Sequence, residues 1–499
     1  MMGLGKKQVN EQCTRKPSVF LTSGAEIEAA ILEVVQKFTL NREQTQAFRI
    51  VANHSLGQSK VRTQLLMGIF GEGGTGKSRI IEAIHDWFTL INQVQRLIIT
   101  ATTGAAAVKI NGSTLHSAVG IPVESGDREQ QIKVARVTDK QLLRWKELDY
   151  IIVDEVSMMD AKVMMQLNKT LNLLRGSHKE HEAKPFGGVN VLFFGDFFQL
   201  PSVSKLDLWR GKLGRWHQVH DLWRSLNAVV TLTQQMRQAE DPKFAEAMAR
   251  IRIHEPTDED ITMLNTRIGA PIPDSPAAPI IVRRHYVRHA INLQKLQETA
   301  LAHGMPIVHC KAEVVASHGL SLHQLYSIIQ GPKKATGDGV LSLISGAPLM
   351  ITKNLNHLPV PLVNGAIVEF YGFNDSTNQY QTSAIIDLPH YMLVRLLSRT
   401  DYQSIHLSGL PANVVPIWPE SFKYNAGHGR WARLRQFPVT LAYAITDFKS
   451  QSQTYKWLRV DIKRPHTGAA SVMSPYVQLS RGQSLQRLSI LRPFDSNDL

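Results

Sequence analysis

Cysteine is scarce in this chain of 499 residues. Only Cys13 and Cys310 occur, so the sequence can form neither a disulfide framework nor a four-cysteine zinc site. Long apolar runs are missing too. No stretch approaches the roughly 18 apolar residues that a membrane-spanning helix needs, and residues 1–20 lack the apolar region of a secretion signal. The sequence therefore predicts an intracellular protein that has no membrane partner.

Acidic residues are also under-represented. The chain has 42 Asp and Glu against 56 Lys and Arg, a formal charge of +14. Residues 421–492 alone hold 12 basic and 2 acidic side chains, net +10. The hydrophobic content of 43% is ordinary for a folded protein, which excludes disorder as the dominant state. An excess of positive charge favours a polyanionic partner such as nucleic acid.

From Leu65 onward, short apolar runs alternate with segments of helical periodicity, a pattern typical of α/β folds with parallel sheets. We predict an N-terminal tail (1–26) and a first α/β domain (27–227) with a small insertion at about 119–140. A second α/β domain is predicted from 228–364 and 431–499. The segment 365–430 is rich in turn residues and short β-like runs, and predicts a small β-rich insertion in the second domain.

One segment matches the complete phosphate-binding pattern G-x-x-x-x-G-K-[ST]: Gly71-Glu-Gly-Gly-Thr-Gly76-Lys77-Ser78. It follows an apolar run that predicts a strand and precedes an amphipathic helical pattern. Glycines let backbone N–H groups turn toward phosphates, and a lysine neutralises the β- and γ-oxygens. The predicted nucleotide-binding residues are Gly71, Gly73, Gly74, Thr75, Gly76, Lys77 and Ser78, with Ser78 also reaching Mg²⁺.

A second apolar run, Tyr150-Ile-Ile-Val-Asp154-Glu155, ends in two carboxylates. By itself, an Asp-Glu pair at the end of an apolar strand more often lies in an exposed turn than in a catalytic site. With an intact phosphate loop about 77 residues upstream, it predicts that Asp154 holds Mg²⁺ through water and that Glu155 is the general base for the attacking water.

The order of further motifs is specific. The chain contains Thr100-Ala-Thr-Thr-Gly104, Gly112-Ser-Thr-Leu-His116-Ser117, Gly195-Asp196-Phe-Phe-Gln199-Leu-Pro201, Met236-Arg237-Gln238, Asn364-Gly365, Lys449-Ser450-Gln451 and Leu479-Ser480-Arg481. Together with the two phosphate-site motifs they resemble the Pif-type DNA helicases, the RecD-like branch of superfamily one. Several sequence segments look closest to those of the helicases of fungal Helitron-like transposons. The resemblance runs from about Leu40 to Leu491.

This resemblance implies two RecA-like domains with ATP between them and 5′-to-3′ movement on single-stranded DNA. It identifies Gln44 as the adenine-reading residue, Gln199 as the γ-phosphate sensor, and Arg237 and Arg481 as arginine fingers. With Lys77 and Glu155, these last three are the predicted catalytic residues. DNA contacts are expected from Thr103, Gly104, His116, Lys449 and Ser450, with single-stranded and forked duplex DNA as partners. Repair, recombination, telomere maintenance or transposition, in the nucleus or in mitochondria, are the expected settings.

Three positions differ from the residues that are usual in the family's motifs. Ser202 replaces a second proline, Asp447-Phe448 replaces Ile-His, and Ser452 stands where Lys-Ser-Gln is normally followed by glycine. A serine at a position that needs positive φ would be strained and would weaken the coupling of hydrolysis to DNA. Two alternatives stay open: a transposon-derived DNA-binding ATPase that no longer unwinds, and a P-loop kinase of small molecules.

Overall fold

The computed structural model describes residues 23–57, 63–121, 139–175, 184–202, 208, 217–273, 278–325, 339–355, 362–373, 382–397, 405–427, 429–464 and 471–499. Most of the predicted N-terminal tail and of the predicted insertion at 119–140 lies outside these residues. The helices are α1 Gly24–Lys37, α2 Arg42–Leu56, α3 Lys77–Leu90, α4 Gly104–Lys109, α5 Leu115–Val119, α6 Asp139–Glu147, α7 Ala161–Leu174, α8 His217–Arg224, α9 Pro242–Arg252, α10 Asp258–Asn265, α11 His285–His303, α12 Asp447–Ser450 and α13 Ser474–Leu479.

The strands fall into an N-terminal and a C-terminal group. The first six are β1 Leu66–Gly71, β2 Leu97–Ala101, β3 Ser113–Thr114, β4 Tyr150–Asp154, β5 Asn190–Gly195 and β6 Ala228–Leu232. The rest are β7 Ile280–Val282, β8 Val308–Lys311, β9 Glu313–His318, β10 Val340–Leu343, β11 Pro348–Ile351, β12 Ile367–Phe373, β13 Ala384–Ile386, β14 Met392–Leu396, β15 Val414–Ile417, β16 Glu420–Gly427, β17 Arg430–Gln436, β18 Val439–Leu441, β19 Ala444–Thr446, β20 Leu458–Val460 and β21 Leu488–Ile490.

The first sheet is parallel, in the order β3-β2-β4-β5-β1-β6. Its central strands are apolar along their whole length because helices cover both faces. Helix α3 packs an apolar stripe against it, in which Ile80, Ile84 and Trp87 are fully buried. The predicted α/β class is confirmed in this half of the chain.

Strand β6 corrects the predicted boundary at residue 227. Its residues were assigned to the second domain, but β6 pairs in parallel with β1, with Ala228 opposite Met67 and Leu232 opposite Gly71. It therefore completes the edge of the first sheet beside the phosphate-loop strand. The alternation of buried and exposed residues along Ala228–Leu232 suits an edge strand of either sheet, so the sequence pattern alone did not assign it.

A second parallel sheet has the order β19-β7-β20-β21. Its strands are separated in sequence by the long excursion between β7 and β19. Helix α11 covers β7 and β19, and the buried Asn292 fixes this contact: its amide donates to the carbonyls of Leu441 and Ala444 at 3.0 and 3.1 Å.

The excursion is larger than the predicted β-rich insertion at 365–430. Mainly antiparallel strands extend from β8 to β18, in sheets ordered β10-β8-β13, β15-β14-β12-β11-β18 and β16-β17-β9. Strands β11 and β18 lie outside the predicted limits yet pair with each other. The antiparallel strands therefore extend beyond the predicted limits on both sides, because the prediction follows local composition whereas strand pairing joins apolar runs about 90 residues apart. Within the described residues, no helix is long and apolar enough to span a membrane.

Candidate active site

Three parallel strands bring the predicted phosphate-site residues to one edge of the first sheet. Strand β1 ends at Gly71, β4 ends at Asp154, and β5 between them ends at Gly195. Because the carboxyl ends of parallel neighbours meet at the same edge, the loop after β1 faces the acidic pair after β4. Ligands of open α/β sheets bind at such an edge.

The loop after β1 has a backbone that side chains would obstruct. Gly74 and Gly76 have φ of +107° and +83°, in the left-handed region that favours glycine. A Cβ at Gly74 would lie 2.1 Å from Gln235 Oε1, and one at Gly76 would lie 2.3 Å from Gln44 Nε2. Helix α3 begins directly after Gly76 and has no side-chain cap. Its first amide groups and its positive end therefore suit an anion.

Lys77 lies inside this loop. Its Nζ donates to the carbonyl oxygens of Gly71 and Glu72 at 2.6 and 2.8 Å. Burial lowers the pKa of Lys77, and the carboxylates of Asp196 and Glu155 oppose that effect. A buried cation within reach of loop carbonyls is a ready counter-charge for phosphate oxygens.

Asp154 and Glu155 are both buried, each with 6% exposed surface. Burial raises the pKa of Asp154 to about 7, the Glu155 carboxylate adds to this effect, and the Glu155 N–H, which donates to Asp154 Oδ1 at 2.9 Å, opposes it. Glu155 has a φ of +57° and is held from the second half of the chain: Ser452 Oγ donates to its Oε1 at 2.6 Å and Gln451 Nε2 to its Oε2 at 3.1 Å. Two adjacent buried carboxylates favour a bound cation.

Arg237 and Arg481 approach the phosphate loop together. A Cβ on Gly73 would lie 3.0 Å from an Arg481 nitrogen and 3.3 Å from an Arg237 nitrogen. Arg237 donates to the Ser480 carbonyl at 2.7 Å, and Arg481 Nε donates to the Val477 carbonyl at 2.9 Å. Burial lowers the pKa of Arg237 to about 9, with Arg481 adding, and burial also lowers the pKa of Arg481. Two neighbouring guanidinium groups, one half-buried and one buried, favour an anion between them and the loop.

Gln199 and Asp196 link the two halves of the site. Gln199 Nε2 donates to Asp196 Oδ2 at 3.3 Å, and Arg481 donates to Gln199 Oε1 at 3.5 Å. Tyr476 donates to the same Asp196 oxygen at 3.2 Å, while its own oxygen accepts from the Gly73 N–H at 3.3 Å. A polar network therefore runs from the phosphate loop through the first domain to α13.

These groups enclose a cavity of about 290 Å³. Its walls include the predicted residues Gly73, Gly74, Gly76, Lys77, Ser78, Asp154, Glu155, Gln199, Arg237 and Arg481, and also Lys109, Met236, Ser452 and Thr454. Ser78 and Asp154 share this wall, so the two residues predicted to reach Mg²⁺ face the same space. Mg²⁺ commonly takes only one or two protein ligands besides substrate phosphates, which this pair satisfies.

Gln44 lies behind the loop. Its Nε2 donates to the Thr75 carbonyl at 3.0 Å, and its Oε1 accepts from the Asn41 N–H at 3.0 Å as part of the capping box of α2. The side chain is buried. In this structure Gln44 therefore braces the phosphate loop with both ends of its amide, and adenine reading stays a prediction.

Only some of the residues predicted to contact DNA lie close together in the structure. Gly104 and Lys449 both lie against Asn364: a Cβ on Gly104 would be 3.0 Å from its carbonyl oxygen, and Lys449 Nζ donates to its Oδ1 at 2.7 Å. Thr103 caps α4, and its hydroxyl accepts from the Ala106 N–H at 3.2 Å. His116 is half-buried on α5, and burial lowers its pKa.

Ser450 does not fit the prediction of a DNA contact. It has no exposed surface, and its hydroxyl donates to the Asp447 carbonyl at 2.8 Å within α12. The helix turn that carries it faces the core between β19 and α13. In this structure Ser450 therefore has no surface on which DNA could lie, and its contact with DNA stays a prediction.

Known proteins resemble this chain along most of its length. Residues 39–255 match the family model described as PIF1-like helicase. The chain is 29% identical over 322 residues to the ATP-dependent DNA helicase PIF1 of Saccharomyces cerevisiae, which covers 64% of this chain and 35% of that protein. It is 28% identical to PIF7 of Trypanosoma brucei brucei and 28% identical to PIF1 of Danio rerio, with 93% and 92% of this chain covered. The chain is therefore similar to PIF1-like helicases along nearly its whole length.

The chain spans only 35%, 47% and 62% of the lengths of those three relatives. Solved structures agree on the fold. The Pif1 helicase of Candida albicans is 24% identical with a TM-score of 0.65, covering 92% of this chain and 95% of that one. The Bacteroides Pif1 bound to single-stranded DNA is 21% identical with a TM-score of 0.64, covering 92% and 94%. The likeness to fungal transposon helicases in particular stays a prediction.

Two residues that line this cavity, Lys109 and Ser452, are not among the predicted site residues. Lys109, at the end of α4, donates to the Ser452 carbonyl at 3.2 Å, and burial lowers its pKa to about 8. The Ser452 side chain was noted only as a departure from glycine, yet its hydroxyl contacts Glu155. Its φ of +67° lies in the left-handed region that favours glycine. Neither contact has a signal in the sequence, because both depend on two distant segments meeting across the cavity.

Proposed function

We propose that this chain is an ATP-dependent DNA helicase that couples ATP hydrolysis to 5′-to-3′ movement on single-stranded DNA and to unwinding of forked duplexes. One observation supports the proposal above the others. The phosphate loop and acidic pair of the first sheet face two arginines from the chain after β6, the half-buried Arg237 and the buried Arg481. An ATPase site shared between two parts of a molecule ties hydrolysis to their relative movement.

The chemistry is divided among the residues of the cavity. The α3 amides and Lys77 bind the β- and γ-phosphates of ATP, and Glu155 accepts the proton of the attacking water as general base. Arg237 and Arg481 stabilise the charge that spreads over the transferred phosphoryl oxygens. Gln199 contacts both Asp196 and Arg481, which places it to sense the γ-phosphate.

Mg²⁺ is the proposed cofactor besides ATP. Ser78 and Asp154 are the residues that would hold it, because both face the cavity and burial beside Glu155 disfavours a lone Asp154 carboxylate. When bound, the ion would neutralise phosphate charge and orient the phosphates.

DNA would run past the Gly104, Asn364 and Lys449 group. Backbone amides beside glycine and a lysine suit phosphate contacts that carry no sequence information, so binding is proposed to be independent of sequence. The similar Bacteroides Pif1 is bound to single-stranded DNA, and another similar structure concerns unwinding at forked duplex DNA by two Pif1 helicases. We also propose that the protein acts in the nucleus or in mitochondria, in repair, recombination or telomere maintenance.

The decisive experiment measures strand displacement on duplexes with either a 5′ or a 3′ single-stranded tail, in ATP and Mg²⁺. We expect displacement from the 5′-tailed substrate only, accompanied by ATPase activity that single-stranded DNA stimulates. Displacement from the 3′-tailed substrate would contradict the polarity, and ATPase activity indifferent to DNA would contradict the function and favour a small-molecule kinase.

A DNA-stimulated ATPase that no longer unwinds is the second candidate. The observation that favours it is Ser452, whose left-handed backbone is unfavourable for serine and lies beside Glu155. ATP hydrolysis with DNA stimulation but without displacement from either tailed substrate would select this candidate.

A further inference from the structure

Ser452 occupies an unusual place for a serine. Its φ of +67° lies in the left-handed region, and only 7% of its surface is exposed. Such a conformation disfavours any residue with a Cβ, so local propensity alone would select glycine here. The side chain must therefore gain a contact that the backbone conformation does not supply.

That contact is with Glu155. Ser452 Oγ donates to Glu155 Oε1 at 2.6 Å, a short hydrogen bond for a hydroxyl donor. The neighbouring Gln451 donates to the other oxygen, Oε2, at 3.1 Å. Each oxygen of the proposed general base thus receives one hydrogen bond from the same loop, and the two bonds fix the orientation of the carboxylate.

The loop itself is joined to the proposed DNA track. Gln451 and Ser452 directly follow α12, whose Lys449 donates to Asn364 at the Gly104 surface. The Ser452 carbonyl also accepts from Lys109 at 3.2 Å, and Lys109 ends the helix that Gly104 begins. A displacement of α12 or α4 by DNA therefore acts on the atoms that hold Glu155.

We propose that Ser452 is a positioning residue that restrains Glu155 in the absence of DNA, so that hydrolysis in this chain is held more strictly dependent on DNA. The inference rests on the proposed function. The hydroxyl stabilises one orientation of the carboxylate and occupies a lone pair on Oε1, and Glu155 must leave this bond to accept a proton from water. DNA bound along α12 and α4 shifts the loop and releases the restraint.

The test compares Ser452→Ala and Ser452→Gly with the wild-type chain. Both variants lack the hydroxyl, but alanine keeps a Cβ at positive φ whereas glycine removes the strain. We expect the kcat for ATP without DNA to rise roughly three- to tenfold in both variants, the gain expected when a typical hydrogen bond is lost. The kcat with saturating single-stranded DNA and the KM for ATP should change less than about twofold, so the stimulation by DNA falls.

Ser489→Ala is the matched control, because Ser489 is a buried serine of β21 that does not line the cavity. It should leave both rates unchanged, and thermal unfolding of all variants reports any loss of fold. A merely structural role for Ser452 predicts lower, not higher, DNA-free activity in the alanine variant.

The outcomes distinguish a failure of the proposed helicase function from a failure of the proposed Ser452 restraint. Wild-type protein without DNA-stimulated hydrolysis would refute the proposed function. Wild-type protein with such hydrolysis, but with DNA-free kcat unchanged or reduced in both Ser452 variants, would overturn the restraint. A rise in the glycine variant alone would assign the effect to backbone strain and would also overturn it.

Discussion

Burial and the neighbouring carboxylates have opposite effects on the pKa of Lys77. The low-dielectric surroundings disfavour the ammonium, while Asp196, Glu155 and Asp154 favour it. We expect Lys77→Ala to abolish ATPase activity with DNA present, because the phosphates lose their cation in the loop. A coupled phosphate-release assay measures the rate. Lys37→Ala, which removes an exposed lysine paired with Asp86, serves as the control and should retain wild-type activity.

Arg481 tests the division of the site between the two parts of the chain. Its guanidinium is 1% exposed and faces the phosphate loop. Arg481→Lys keeps a positive charge but loses the planar fork, so we expect kcat to fall by at least about 10²-fold while ADP binding persists. Single-turnover hydrolysis and calorimetric ADP titration separate the two effects. An unchanged kcat would refute the arginine-finger assignment.

Single residues also mark where sequence reasoning reaches its limit. The motif Lys449-Ser450-Gln451 is visible in the sequence, but its members have different surroundings. Lys449 contacts Asn364, Ser450 is buried within α12, and Gln451 contacts Glu155. A motif fixes residue types and spacing, whereas the direction of each side chain depends on how α12 packs.

At the scale of elements, the short helices α12 and α13 are joined by a buried hydrogen bond. Ser474 Oγ donates to Asp447 Oδ2 at 2.5 Å. Burial raises the pKa of Asp447 to about 6, from an ordinary value of 3.8, and the Ser474 hydrogen bond opposes the rise. The folded state therefore binds this proton more tightly than the unfolded state does.

The contribution of Asp447 to the free energy of unfolding depends on pH. Asp447 contributes stability that is fully present below pH 3.8 and is lost as the pH rises through about 6. Asp447→Asn cannot ionise, so its free energy of unfolding should rise relative to wild type by up to about 3 kcal/mol between pH 4 and pH 7. Urea denaturation at several pH values measures the difference. A difference independent of pH would contradict the assignment.

Elements differed in how well the sequence defined them. Helix α3 and strands β1 and β4 were predictable because apolar periodicity and the glycine loop agree. Strand β6 was misplaced because its pattern fits either sheet, and only its pairing with β1 decides between them. The strands between β8 and β18 join through long-range pairs that local composition does not encode.

For the whole molecule, the net charge of +14 has a local origin. Most of the excess lies in residues 421–492, which include α12, α13 and both Lys449 and Arg481. We expect the Kd for single-stranded DNA to rise steeply with salt, with a slope in log Kd against log salt of about 0.7 for each phosphate neutralised. Fluorescence anisotropy on several unrelated oligonucleotides should give the same slope. Strong differences among sequences would contradict recognition through the backbone.

The sequence by itself determined the phosphate loop, the acidic pair and the order of motifs, because spacing along one strand–loop–helix unit is a local property. It also determined that two α/β layers are present. Only the tertiary structure decided that Ser450 is buried, that Gln44 braces the loop, and that the Ser452 hydroxyl reaches Glu155. Each of these contacts joins segments distant in sequence, or depends on which face of a short helix is covered, and packing alone sets that geometry.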